Sequence, residues 1–400
     1  MFTDNTTQVA MGGLVTVHPP LMALIMIIHS LRRRTLVLSC ISASFLGCVW
    51  TASLASEQPD VLVRQVADAV IRDNPEPPDF NWGEGILLAG MMRAHSMTGE
   101  AKYLEFVRRF ADHWSQAGIE PLLEKKGYCG HWGPGYPLWQ LYEETHDARY
   151  AAMVRQIIRF MSERAERTTD GGLSHFNGKP QLWVDTLAMC CPVLSPGSRI
   201  DKNDTWQTES VRQLRLFTTH LRDPKTGLYY HMWDQASGSR TPSFWARGNG
   251  WVVLSLVETL RYEPASSPSR DELSSLLRKQ LESIAKLQDP ATGLWHTVLD
   301  APDTYLETSA SALFLYGMQE SRALGLDSSV PLETLQRAWR GLAPQVDSNG
   351  RVIGVSGGTG PSDQRGYASK IHGTYPWGTG AFLMAAAVWG EGQQEVKELK

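Results

Sequence analysis

Short, similar connectors recur along the chain, and they constrain the fold more than any other feature of the sequence. Segments 98–103 (TGEAKY) and 145–150 (THDARY) each place a turn before the Tyr that opens the next helical stretch. A second set, 169–175, 223–231 and 289–296, places a Gly-containing turn before an aromatic residue or His on a short extended segment. A spacing of roughly 45–65 residues is typical of repeated helical hairpins.

The stretches between these connectors carry apolar residues at three- and four-residue spacing, which indicates amphipathic helices. Six hairpins of roughly 57 residues can close into a ring, with the connectors gathered around one mouth. We therefore predict an all-α fold, an (α/α)6 barrel; an open helical solenoid is the alternative. The predicted helices cover residues 61–72, 85–97, 103–117, 136–145, 150–164, 206–221, 250–261, 270–287, 309–324, 331–342 and 380–389.

The N-terminus has the order of features found in a secretory signal peptide. Arg32, Arg33 and Arg34 precede the apolar run 35–50, and small residues follow before Glu57. We predict that residues 1–56 are an export segment, that residues 57–400 form a single (α/α)6 domain, and that the protein is periplasmic or secreted. A retained membrane anchor and a lipidated Cys48 are the alternatives, although the run is short for a span.

Composition excludes several classes of function. A formal net charge of −4 gives no broad basic field, so we expect no nucleic acid partner. There is no CxxC or HExxH motif and no nucleotide-binding glycine loop, so we expect neither a metal nor another cofactor. After cleavage we expect no stable membrane insertion, and we expect Cys129, Cys190 and Cys191 to be buried free thiols. The 14 Trp residues suit a large helical core, and indole faces also suit sugar binding.

Two segments concentrate polar and aromatic side chains. Trp183-Val-Asp-Thr186 sets Asp185 inside an apolar stretch, where a carboxylate is costly unless it is paired or protonated. The alternative is that Asp185 caps a helix. In Trp245-Ala-Arg-Gly-Asn-Gly-Trp251, Arg247 can grip a carboxylate and the indoles can stack on a sugar ring. The alternative is a turn that opens a buried helix, with Arg247 in a structural ion pair.

Several motifs in order resemble those of the unsaturated uronyl hydrolases, glycoside hydrolase families 88 and 105. The resemblance covers roughly residues 80–390 and implies the (α/α)6 barrel. It also implies hydration of a C4=C5 double bond, in which an Asp protonates C4 and water adds at C5. Asp185 matches that catalytic acid, and an aromatic pocket is expected to raise its pKa. The motifs are 81–85 (NWGEG), 141–145 (LYEET), 183–189 (WVDTLAM), 245–251 (WARGNGW), 305–309 (YLETS) and 378–382 (GTGAF).

The resemblance also implies a set of substrate-binding residues, and the chain departs from the family at one point. The family has a second Asp just before the helix predicted at 136–145, where this chain has Gly130 or His131. No carboxylate occurs between Glu124 and Glu143. The loop around His131 is nevertheless rich in groups that bind sugars, which argues against simple loss of activity. The residues assigned to substrate binding are His131, His175, Trp183, His231, Trp245, Arg247 and Trp251.

These features predict a glycoside hydrolase that acts on a uronic-acid-containing oligosaccharide. The leading hypothesis is release of a terminal 4,5-unsaturated uronic acid from the products of polysaccharide lyases, through hydration catalysed by Asp185. A β-glucuronidase-like hydrolase of saturated uronides on the same fold is the second hypothesis. A non-catalytic glycan-binding toroid is the third. We further expect Asp185, His175, His231, Arg247 and Trp251 to point into one common cavity.

Overall fold

The computed structural model describes residues 58–202 and 204–398. The predicted export segment, residues 1–56, lies outside the described residues. Within them, twelve helices of eleven residues or more follow one another along the chain. They are α1 (Pro59–Asp73), α2 (Trp82–Thr98), α3 (Ala101–Ala117), α4 (Gly135–Thr145), α5 (Ala148–Glu163), α6 (Val184–Asp201), α7 (Asp204–Leu221), α8 (Ala246–Tyr262), α9 (Pro268–Lys286), α10 (Thr308–Ala323), α11 (Leu332–Leu342) and α12 (Pro376–Glu398).

The even-numbered helices form an inner ring, and the odd-numbered helices surround it. Each inner helix packs against the next, from α2 through α4, α6, α8 and α10 to α12, and α12 packs back against α2. Helix α1 packs against α12, so the first and last helices make the sixth hairpin. The ring is therefore closed, which confirms the (α/α)6 barrel and excludes the open solenoid.

The ring closes where the backbones of α2 and α12 touch. A Cβ atom on Gly380 of α12 would lie 2.1 Å from the carbonyl oxygen of Ile86, and one on Gly90 would lie 2.6 Å from the carbonyl oxygen of Gly380. Backbone atoms cannot move aside as a flexible side chain can. Glycine at these two positions is therefore what allows the first and last inner helices to approach.

One inner helix, α6, is missing from the sequence prediction. It contains Pro192 and Pro196, each of which removes a backbone donor from the helix interior, and it is buried from Val184 to Ser198 apart from Asp185. A helix buried on all sides has no polar face and so shows no amphipathic period. Packing in the ring, rather than local preference, determines this helix.

The connectors divide into two sets at opposite ends of the barrel. Inner helices lead to outer helices through short turns, such as those with Gly99 and His146 in the left-handed region at φ 69° and 56°. Outer helices lead back through long connectors, so the N-termini of the inner helices surround the other end, called here the mouth. The prediction of one mouth for all connectors is corrected accordingly, because helices that alternate in direction turn at both ends.

Short antiparallel ladders tie the long connectors together at the mouth. Strand β1 (Gln181–Trp183) pairs with β2 (Met232–Asp234), which joins the α5–α6 and α7–α8 connectors. Strand β3 (Val355–Ser356) pairs with β4 (His372–Gly373) within the α11–α12 connector. Among the described residues, no helix is long and apolar enough to cross a membrane.

Candidate active site

The β1–β2 ladder brings Asp185 next to His231. Trp183 pairs with Met232, and the N–H of Val184 donates to the carbonyl of His231 at 3.0 Å. Asp185 follows in the first turn of α6, whose N-cap is Trp183. Asp185 is therefore not the helix cap, and its carboxylate is free to point into the mouth, where the helix N-terminus favours negative charge.

Asp185 is the outer end of a chain of three polar side chains. Its Oδ2 atom lies 2.9 Å from Nε2 of His231, and Nδ1 of His231 lies 2.9 Å from the hydroxyl of Tyr367. The N–H of Ser362 donates to the same hydroxyl at 3.0 Å. His231 is fully buried. With both ring nitrogens engaged, His231 has a fixed orientation and holds the carboxylate in one position.

The pKa of Asp185 is lowered, contrary to the sequence expectation. Burial raises it, but the charge of His231 and the hydrogen bond from its ring outweigh burial, with smaller contributions from His175 and Arg247. From the aromatic surroundings alone we expected the pKa of Asp185 to be raised. The sequence could not show that an imidazole, 46 residues away along the chain, would be the nearest neighbour. In the free protein Asp185 is therefore a carboxylate.

A cavity of about 230 Å³ opens above Asp185 at the mouth. Five of its twelve lining residues carry aromatic rings, and Asp185 is the one carboxylate among the described residues that line it. No Lys or Arg among those described residues lines it either. The shape and chemistry suit one sugar ring held against aromatic faces. The lining residues are Trp82, Tyr128, Cys129, Gly130, His175, Phe176, Trp183, Asp185, Met189, Gly358, Thr359 and Gly360.

His175 and Trp183 form one wall of the cavity as a stacked pair. Their ring centroids lie 4.1 Å apart with the planes 7° from parallel. Nδ1 of His175 lies 3.1 Å from Sγ of Cys129 and 3.1 Å from Oγ1 of Thr186. Burial lowers the pKa of His175 to about 4, so its ring is neutral at ordinary pH. Both predicted residues thus lie at the cavity.

Arg247 is buried beneath the cavity and holds the loop above it. Its guanidinium donates to the carbonyl oxygens of Ser356 and Gly357, to the hydroxyl of Ser356 and to that of Thr359. Glu307, which caps α10 and accepts from the N–H of Ser356 at 2.9 Å, lies 3.9 Å from the same guanidinium. Burial lowers the pKa of Arg247, against the opposing charge of Glu307. The residue thus shapes the cavity by fixing the loop that carries Thr359.

Three further predicted residues lie one layer behind the wall. Trp245 stacks on His231 at 4.3 Å, Trp251 meets the Trp82 ring edge-on at 6.2 Å, and His131 meets Tyr128 edge-on at 5.5 Å. None of these three residues lines the cavity, and neither do Arg247 and His231. The expectation that His231, Arg247 and Trp251 point into it with Asp185 is therefore corrected. Arg247 and Trp251 lie on α8 and face the crowded interior of the ring, where both are almost fully buried, and His231 is fully buried behind Asp185.

Sequence reasoning missed several residues of this site, among them Trp82, Tyr128, Glu307 and Tyr367. Trp82 and Glu307 lie within motifs of the resemblance, and Tyr128 borders the loop where the second acid is absent. Tyr367 carries no signal, because it stands in a one-turn helix, Gln364–Ala368, 136 residues from its partner His231. Cys129, Cys190 and Cys191 are buried and free, as predicted. Within 58–202 and 204–398, no three His, Cys, Asp or Glu side chains come together in a group able to hold a metal ion.

Comparison with known proteins places this geometry among carbohydrate-active enzymes. The sequence model described as Glycosyl Hydrolase Family 88 matches residues 58–389. An unsaturated rhamnogalacturonyl hydrolase from Bacillus subtilis (strain 168) is 30% identical over 318 residues, covering 76% of this chain and 88% of that protein. An unsaturated 3S-rhamnoglycuronyl hydrolase from Formosa agariphila is 27% identical over 346 residues, covering 77% of this chain and 83% of that protein.

Solved structures share the fold. A possible member of the GH105 family from Klebsiella pneumoniae superposes with a TM-score of 0.75 at 24% identity, covering 84% of this chain and 93% of that one. At this identity the likeness concerns the barrel alone.

Proposed function

Because the chain belongs to Glycosyl Hydrolase Family 88, we propose that it removes a terminal 4,5-unsaturated uronic acid from a rhamnose-containing oligosaccharide, with Asp185 as the catalytic acid. The chain is a glycoside hydrolase of the unsaturated uronyl type, as the sequence predicted. Two relatives are named as rhamnogalacturonyl and rhamnoglycuronyl hydrolases, which supports a rhamnose residue next to the uronic acid in the substrate of this chain. The observation that carries the assignment to Asp185 is its position, fixed by His231, as the one carboxylate among the described residues that line the cavity.

The proposed reaction adds water across the double bond rather than displacing the neighbouring sugar. Asp185 donates a proton to C4, the C5 cation is stabilised by the ring oxygen, and a water oxygen bonds to C5. The water then loses a proton to the carboxylate of Asp185, which restores the acid. The product is a hemiketal at C5, which opens and releases the next sugar. A single carboxylate suffices, in contrast to the paired carboxylates of ordinary glycosidases.

The lowered pKa of Asp185 in the free protein means that the acid form must arise on binding. The substrate carries its own carboxylate, and its ring displaces water from the aromatic cavity. A second negative charge and the loss of water both favour the protonated form of Asp185. Binding should therefore take up a proton, with the N–H of His231 still directed at Asp185.

The decisive experiment compares Asp185→Asn with the wild type on oligosaccharides made by digesting rhamnogalacturonan with a lyase. The double bond is conjugated with the carboxylate, so hydration removes its ultraviolet absorbance as sugar is released. General acid catalysis contributes about 10²–10⁴-fold, and kcat should fall by at least that factor. Asp271→Asn is the matched control, since Asp271 is exposed in the first turn of the outer helix α9.

Two results would contradict the proposal. Full activity of Asp185→Asn would remove Asp185 from the chemistry. Release of sugar from saturated β-glucuronides, with no loss of absorbance on unsaturated substrates, would favour the second hypothesis instead.

A further inference from the structure

The wall of the cavity where the second acid is absent is formed by Tyr128. A Cβ atom on Gly130 would lie 2.4 Å from Cε1 of the Tyr128 ring and 2.9 Å from Oδ1 of Asn81. No side chain therefore fits at position 130 while Tyr128 stands where it does. His131, the other residue at this point of the sequence, meets Tyr128 edge-on and does not line the cavity. A phenol thus faces the substrate where a carboxylate would otherwise be expected.

Packing fixes the orientation of this phenol. The Tyr128 ring stacks on Phe176 with centroids 5.1 Å apart and planes 14° from parallel, and it meets the edge of His175 at 5.5 Å. Rings held on several sides lose little entropy when a ligand binds, so a hydrogen bond from such a group contributes most of its strength to affinity.

The hydroxyl of Tyr128 can donate a hydrogen bond to a ligand. Burial raises its pKa above the usual range, with smaller electrostatic contributions from Cys129 and Asp185, so the phenol stays protonated. A hydrogen bond from the Trp82 indole opposes the rise, and an indole N–H can only donate. No hydrogen bond in the described part of the chain uses the phenol hydrogen itself.

The substrate brings an anion into a cavity that no Lys or Arg of the described residues lines. The terminal nitrogens of Arg247 are committed to Ser356, Gly357 and Thr359, and its Nε, which has no hydrogen-bond partner, is buried behind the residues that line the cavity. The hydroxyl of Thr359 gives its own hydrogen to the carbonyl of Gly357 at 2.8 Å. The uronate carboxylate must therefore be bound by neutral donors, and the phenol is a lining donor that is still available.

We propose that Tyr128 is a substrate-binding and specificity-determining residue that donates its phenolic hydrogen bond to the carboxylate of the uronic acid. A phenol does not repel that carboxylate, whereas an ionised acid on the same wall would. This inference rests on the proposed function, since it assumes a uronate in the cavity of Asp185.

The test measures kcat and KM of Tyr128→Phe on an unsaturated galacturonyl-rhamnose disaccharide and on its methyl ester. Hydrogen bonds to a charged group are worth more than those to a neutral one, so KM for the free acid should rise about 10- to 100-fold with little change in kcat. On the methyl ester the rise should be several-fold smaller. Tyr142→Phe is the matched control, because Tyr142 lies near the far end of α4, away from the mouth.

Each outcome has a distinct meaning. Absence of wild-type turnover on the disaccharide would refute the proposed function itself. With an active wild type, an unchanged KM in Tyr128→Phe, or an equal rise on acid and ester, would overturn the role of Tyr128 alone. If Tyr128→Phe does not fold, the kinetics of Gly130→Ala test the proposal instead. The added methyl group displaces the phenol and should raise KM for the free acid by a similar factor. An unchanged KM in Gly130→Ala would then overturn the proposal.

Discussion

His175 should make the stability of the barrel depend on pH in a defined window. Its ring is buried against Trp183, and burial lowers its pKa from 6.5 to about 4. An unfolded chain binds a proton at this histidine near pH 6.5, whereas the folded protein does so only near pH 4. Between these values the unfolded state holds more protons, so the free energy of unfolding falls as the pH falls. Over the whole window the loss is about 3 kcal/mol, since one pKa unit corresponds to about 1.4 kcal/mol.

Urea unfolding of the wild type and of His175→Asn at several pH values between 7 and 4 measures this effect. The variant is expected to be less stable at pH 7, because it loses the ring stacked on Trp183. Its stability should nevertheless depend less on pH than that of the wild type, with the two curves converging by about 3 kcal/mol towards pH 4. Parallel curves would show that His175 is not held neutral by burial and would refute the reasoning.

Three further predictions follow from the ring, the catalytic pair and the N-terminus. His231→Gln removes the main influence that lowers the pKa of Asp185, so the alkaline limb of the kcat/KM profile should move to higher pH; an unmoved limb would exclude Asp185 as the titrating acid. Gly380→Ala places a methyl group against the carbonyl of Ile86 and should cost about 1–3 kcal/mol in thermal unfolding, whereas an unchanged Tm would contradict the contact. We propose that the protein is exported, so N-terminal sequencing should find it beginning near Glu57, and soluble protein that keeps residues 32–34 would refute cleavage.

The sequence predicts the outer helices better than the inner ones, for a physical reason. An outer helix such as α11 buries one face, and its apolar residues recur with the helical period. An inner helix such as α6 is buried nearly all round, and its two prolines argue against a helix when read locally. The number of hairpins was still predictable, because the connectors mark where each hairpin turns.

Some residues of the site could be predicted from the local sequence, whereas others depend on contacts between distant segments of the chain. Asp185, Trp183 and His175 lie within eleven residues of one another, and the α5–α6 connector with the first turn of α6 carries all three to the cavity wall. The direction of the pKa shift of Asp185 depends on His231, which only the β1–β2 pairing brings near. Tyr367 reaches His231 from the α11–α12 connector, and no local pattern encodes that contact.

The pairing of α1 with α12 also governs when the barrel can form during synthesis. Helix α1 also contacts α2 and α3, but its main partner lies some three hundred residues further along the chain, so much of its apolar face stays uncovered until α12 has been made. Contacts of such long range are slow to form, because the chain must first be brought together end to end. The growing polypeptide therefore remains incompletely folded until translation is nearly finished. Shortening either end by one helix would leave an inner or outer face uncovered and the remaining hairpins prone to aggregate.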